Sequence, residues 1–125
     1  MIHGVGTDLV VVARLREMWQ RHGERALERL LAPQERADGR ASPDPGRFLA
    51  KRFAAKEALG KAFGTGIRAP VLLTAIAVIH DASGKPAFAF SPALEAWVAA
   101  QGLVCHLSLS DEREHALACV VVERR

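Results

Sequence analysis

The chain has 125 residues, half of them hydrophobic, with a formal net charge of +3, five Phe, two Trp, no Tyr and two cysteines. This supports a single domain over residues 1–125 with a core of its own, and excludes a membrane span, which needs about 18 consecutive apolar residues. Cys105 and Cys119 lack metal-ligand spacing and read as reduced core thiols. The modest basic excess favours anionic partners, while aromatics not interleaved with basic residues argue against nucleic acid.

Met1–Thr7 reads as a short strand whose glycines allow close approach of backbone or ligand. Asp8 closes it, and a helix is predicted from Leu9 to about His22, with Val12, Leu15 and Trp19 on one side and Gly23 as the break. Asp8 at that junction is either a helix cap or part of a site. If the helix ran on past Gly23, Arg14, Met18, Arg21 and Arg25 would form a basic stripe with a methionine, suited to an acidic partner helix or to plain solvent.

Glu24–Leu31 reads as a second short helix, Pro33 starts a further turn, and Gly39–Gly46 reads as a mobile loop. The central helix follows, from about Arg47 to Phe63. Ala55, Leu59, Ala62 and Phe63 make its apolar stripe, Glu57 and Lys61 lie a turn apart on the other side, and Gly64 caps its end. Glu57, Lys61 and the Gly64-Thr65-Gly66 turn are either an ion pair ahead of a glycine stop or a place to hold a metal and a phosphate.

Ala75–His80 and Ala87–Phe90 are expected to form a hairpin around Asp81–Pro86. Ser91-Pro92 caps a helix over Ala93–Gln101. Val104–Ser110 and Ala116–Glu123 should pair antiparallel around Asp111–His115. The N-terminus lacks a basic stretch followed by an apolar core, so the expected location is cytoplasmic.

Taken together, Gly4-Val5-Gly6-Thr7-Asp8-Leu9-Val10, the block Arg52–Gly66, Gly84-Lys85-Pro86 and Ser108-Leu109-Ser110 followed by Asp111-Glu112 resemble the holo-acyl-carrier-protein synthases, small bacterial 4′-phosphopantetheinyl transferases. The resemblance spans nearly the whole chain. It implies an α+β fold with an antiparallel sheet packed on the long central helix, and transfer of the phosphopantetheine arm of coenzyme A to a serine of an apo acyl carrier protein. It also implies Mg2+ held by Asp8 and Glu57, a chemistry in which the ion uses one or two carboxylates and completes its shell with water and phosphate.

By the same resemblance Lys61 stabilises charge on the pyrophosphate, the amides around Gly64, Thr65 and Gly66 shape its cradle and Arg52 contacts nucleotide phosphates, while His106 is either a coenzyme A contact or a half-buried strand histidine. The stripe Arg14, Met18, Arg21 and Arg25 becomes the carrier-protein docking face. The family is typically a homotrimer with active sites between subunits. Where the wider superfamily carries a histidine after the Ser-x-Ser strand, this chain has Asp111, and no histidine role is transferred to it. The alternative reading is a non-catalytic basic module for nucleotides or nucleic acid on the same fold.

Overall fold

A computed structural model describes residues Met1–Arg125. Strand β1 (Ile2–Val11) leads into helix α1 (Val12–His22), then α2 (Glu24–Leu30), a 3-10 turn (Pro33–Glu35), α3 (Arg36–Ala41) and the 19-residue α4 (Pro45–Phe63). A hairpin of β2 (Ile76–His80) and β3 (Pro86–Phe90), helix α5 (Pro92–Ala100) and a second hairpin of β4 (Leu103–Asp111) and β5 (His115–Arg124) complete the chain. The α+β architecture and both expected hairpins are present, with β1, β5 and β4 forming an antiparallel sheet in that order.

That sheet packs on α4. Its inner face carries Val10, Ala116, Ala118, Val120, Val122 and Leu107, which join Ala54, Ala55, Ala58, Leu59 and Ala62 of α4 in the core. The small residues along α4 let strand and helix approach closely. At Gly4 and Gly6 the approach is so close that a Cβ would run into the backbone carbonyls of Ala62 and Ala58. The opposite face of the sheet has no covering element, and Val5, Leu9, Val11 and Leu117 stand exposed on it.

The ends of α4 follow ordinary capping chemistry. Asp44 accepts a hydrogen bond from the Arg47 amide ahead of Pro45 in the first turn, and Gly64 takes the left-handed conformation (φ 84°) that a C-terminal glycine supplies without steric cost. The loop expected over Gly39–Gly46 is therefore mostly helical, shared between α3 and the start of α4. The Ser-Pro-Asp-Pro-Gly composition that suggested a loop is a helix stop followed by a capped start.

The first strand also departs from expectation. It continues through Asp8 to Val11, pairing Leu9 with Leu117 and Val11 with His115, and α1 begins at Val12. The Leu-Val-Val-Val run fits a strand half-buried on one face as well as a helix, and pairing with β5 decides for the strand. Cys119 is not a core thiol, since it lies on the outer sheet face opposite Thr7. Burial pushes the Cys105 thiol up to about 11, leaving it protonated and inert.

Beneath α4 lies a buried polar hub. Lys56 is fully buried and donates to Glu35 Oε1 (2.6 Å), the Leu30 carbonyl (2.8 Å) and the Leu73 carbonyl (3.0 Å). Glu35 also accepts from the Ala32 amide (2.9 Å), the Val78 amide (3.0 Å) and Arg52 Nη1 (2.9 Å). Burial alone would raise the Glu35 carboxyl; Lys56 and the Val78 and Ala32 amides outweigh it and hold the group below its ordinary 4.5. Burial pushes Lys56 down to about 8, still protonated at neutral pH.

Two outcomes follow. Gly6→Ala should destabilise the fold by about 1–3 kcal/mol, read as a lower denaturation midpoint, because the added methyl meets helix backbone instead of a flexible side chain; an unchanged midpoint would contradict this packing. Because folding depresses Glu35 below its unfolded value of 4.5, the hub's contribution is present above that pH and lost as pH falls beneath it. The melting temperature of the native chain should thus fall more steeply on acidification than that of Glu35→Gln, measured by circular dichroism from pH 7 downwards.

Candidate active site

Asp8 faces α4 from the inner side of β1, one step along the same face from Gly6. The glycine contact that brings strand onto helix thereby brings Asp8 under the α4 turn carrying Glu57 and Lys61. Lys61 Nζ lies 3.1 Å from Asp8 Oδ1 and donates to the Thr7 carbonyl at 2.9 Å. The i,i+4 geometry suggested Glu57 as the partner of Lys61, but the ammonium is drawn across to the strand, where a carboxylate and a carbonyl converge.

Glu57 makes no ion pair of its own. Burial, then the Asp8 carboxylate, push its carboxyl up, against the pull of Lys61. Two neighbouring carboxylates, one paired with Lys61 and the other unpaired, fit a divalent cation that takes oxygen ligands. No third His, Cys, Asp or Glu joins them, so water and substrate oxygens would have to complete the shell.

The Gly64-Thr65-Gly66 turn adjoins this cluster but is not an open amide cradle. The amides of Gly64, Thr65 and Gly66 all donate to the Gly60 carbonyl at 3.0–3.2 Å, and the Thr65 hydroxyl donates to the Gly66 carbonyl. The helix end consumes the donors that the expectation assigned to phosphate. The turn closes the helix without supplying free N–H groups.

Arg52 lies elsewhere. Five residues before Glu57, it projects about 140° away around α4 and enters the hub, donating from Nη1 to Glu35 and to the Val78 carbonyl (2.5 Å), with its guanidinium 4.5 Å over the Phe48 ring. It is not the free phosphate ligand expected, being half engaged in the core. Its remaining edge lines a cleft with Arg47, Lys51 and His80. Partial burial, followed by the charges of Arg52 and Lys51, pushes the His80 imidazole down, so it is neutral at pH 7.

Asp111 sits at the mouth of this basic cleft. Its carboxylate is 3.0 Å from Arg47 Nη1 and 3.8 Å from Lys51 Nζ, while Arg47 also donates to the Glu112 and Arg113 carbonyls at 2.6 and 2.7 Å. The acid in place of the superfamily's histidine is thus a counter-ion to two cations and pins the β4–β5 turn to α4. Lys51, His80, Glu35 and Lys56 were missed in the sequence. The available signal was Arg52 and Lys56 at i,i+4 on a helix otherwise rich in alanine, the pattern of a buried polar ridge.

His106 belongs to neither place. The β4–β5 register sets it opposite Val121 on the outer sheet face, where its Nε2 lies 3.0 Å from Glu123 Oε1, whereas Asp8 points to the inner face. The docking stripe is broken as well. Gly23 ends α1, leaving Arg14, Met18 and Arg21 on it and placing Arg25 on α2. Yet Met18 and Arg25 line one groove, with His22, Arg29, Leu30 and Leu73, and Met18 lines a second with Arg14 and Arg21. The four residues still share a surface, with Met18 at its centre.

Known proteins resemble the chain along its whole length. A holo-[acyl-carrier-protein] synthase of Dechloromonas aromatica (strain RCB) is 57% identical over 123 residues, covering 98% of each chain. One from Azoarcus sp. (strain BH72) is 54% identical over 125 residues, covering 100% of each. The crystal structure of holo-[acyl-carrier-protein] synthase from Neisseria meningitidis matches with a TM-score of 0.94 at 45% identity, covering 99% of this chain and 100% of that one. The Bacillus anthracis enzyme in complex with CoA (3′,5′-ADP) matches at 0.83 with 35% identity, covering 100% and 99%. A sequence model of the 4′-phosphopantetheinyl transferase superfamily matches residues 4–120, and with that the chain belongs to this superfamily.

Proposed function

We propose that the chain transfers the 4′-phosphopantetheine group of coenzyme A to a serine of an apo acyl carrier protein, leaving adenosine 3′,5′-bisphosphate. The observation that carries this reading is the convergence of Asp8, Glu57 and Lys61 in a chain of this superfamily. The serine oxygen attacks the pantetheine-side phosphorus of the pyrophosphate in line. A phosphorus–serine oxygen bond forms as the bond to the bridging oxygen breaks, so catalysis rests on positioning and charge neutralisation.

Asp8 and Glu57 would hold Mg2+, which when bound supplies positive charge against the pyrophosphate oxygens. Lys61 is more than half exposed and tethered only at Asp8 and Thr7, so its ammonium can turn to a phosphate oxygen when substrate arrives. The basic cleft of Arg47, Lys51 and Arg52 suits the nucleotide's phosphates. The surface of Arg14, Met18, Arg21 and Arg25 suits an acidic carrier, with opposite charge steering encounter and methionine supplying an adaptable contact.

In this reading the working form is a homotrimer with its sites between subunits. Three observations support it. The outer sheet face exposes Val5, Leu9 and Leu117; His106 lies on that face, away from Asp8; and Arg52 projects from the far side of α4. A single chain therefore splits the expected ligands of one coenzyme A among surfaces that do not meet, and apposed copies can reunite them. No helix is long and apolar enough to cross a membrane, and the reading places the protein in the cytoplasm.

Incubation with coenzyme A, Mg2+ and apo carrier should yield a carrier whose mass includes the phosphopantetheine arm. Glu57→Gln should cut that rate by about a hundredfold or more, on the scale of losing a group that stabilises transition-state charge. Mg2+ should raise the melting temperature of the native chain and not that of Glu57→Gln. A carrier left unmodified under conditions where a related synthase works would refute the reading. Leu117→Asp should convert an assembly of three chains to one by light scattering and abolish transfer; a fully active single chain would remove the interface model.

A further inference from the structure

The Glu35–Lys56 hub touches both surfaces assigned to the two substrates, a feature neither the metal cluster nor the docking face uses. On one side Glu35 Oε2 holds Arg52 Nη1 at 2.9 Å, and Arg52 lines the basic cleft. On the other, Lys56 Nζ holds the Leu30 and Leu73 carbonyls at 2.8 and 3.0 Å, and both residues line the groove beside Met18 and Arg25. The two charges meet at 2.6 Å in the core. Each polar hydrogen of the ammonium has an acceptor and each carboxylate oxygen has two donors, so neither group can turn without leaving a buried partner unpaired.

We propose that Glu35 and Lys56 form a buried positioning pair for the transfer reaction, Glu35 aiming Arg52 into the nucleotide cleft and Lys56 fixing the Leu30–Leu73 wall of the carrier groove. The proposal rests on the functional reading above and adds to it. The Phe48 ring and the Val78 carbonyl limit where the guanidinium can lie, but only Glu35 offers it an opposite charge. Leu30 ends α2, and Leu73 opens a second 3-10 turn (Leu73–Ala75) just before β2. These segments are distant in sequence, and one ammonium bonded to both sets their separation.

Calorimetric titration of the full chain separates positioning from mere stability, because the number of sites reports the folded fraction and the dissociation constant reports site geometry. Glu35→Asp, which keeps the charge but withdraws it, and Arg52→Lys should each weaken coenzyme A binding roughly tenfold, the scale of one charge-assisted hydrogen bond. The double variant should add little to either, the mark of two residues acting through one contact.

Lys56→Met should weaken apo carrier binding by a similar factor. If that variant does not fold, Lys56→Arg, which keeps the charge but cannot keep the three-acceptor geometry, should do the same. In steady-state transfer these losses should appear in KM for the corresponding substrate, with kcat per folded chain nearly unchanged. Additive effects of Glu35→Asp and Arg52→Lys, or variants that lose sites while keeping both native dissociation constants, overturn the proposal. Native chain that binds coenzyme A yet transfers nothing counts against the functional reading, and the binding cycle still decides the hub.

Discussion

The contact on which the rest depends is that of β1 with the backbone of α4, made without side chains between them. Gly4 and Gly6 leave room for the carbonyls of Ala62 and Ala58, and the alanines of α4 keep the helix surface low. Such packing contributes less apolar area than larger side chains would. Its product is proximity: the next inward-facing residue of the strand is Asp8, and it arrives within 3.1 Å of a lysine on the helix. Larger residues at these positions would push strand and helix apart and separate the carboxylates before any chemistry at the site was altered.

Much of the fold was legible because its signals are local. Gly64 as a cap, Ser91-Pro92 as a helix start and the alternation along β4 and β5 each depend on neighbours in sequence. The errors arose where the deciding partner was distant. Leu9–Val11 satisfies a helical or an extended pattern alone, and the ladder with β5 settles it. The segment before Arg47 has loop composition because it contains a stop and a start in succession. The resemblance named Asp8, Glu57 and Lys61, and the fold brings the three side chains together, but the pairing of Lys61 with Asp8 was not legible. Spacing along a helix reveals which groups can meet, not which competitor a neighbouring strand presents.

The charges around α4 divide by function. On the strand side two carboxylates outnumber one lysine, leaving an acidic spot that favours a cation. On the other side Arg47, Lys51 and Arg52 outnumber Asp44 and Asp111, leaving a basic cleft that favours an anion. The acid where a histidine was expected therefore does not turn the cleft acidic; it neutralises part of an excess and fastens the β4–β5 turn. One helix thus presents an acidic spot on one side and a basic cleft on the other, suited to a cation and to an anion.

A buried lysine and glutamate add little net stability, since desolvation offsets most of their attraction and an apolar pair of similar volume could do as well. Yet losing either member alone is costly, because the survivor is left charged and unpaired, and that asymmetry makes the pair a precise spacer. An apolar plug would join α2, α4 and β2 through contacts that tolerate sliding. The hub joins them through bonds with fixed partners and directions, including three to backbone carbonyls that no side-chain repacking can replace. In a chain of 125 residues that must hold a cleft and a groove on either side of one helix, directional bonds in the core secure their relative placement where apolar packing alone would not.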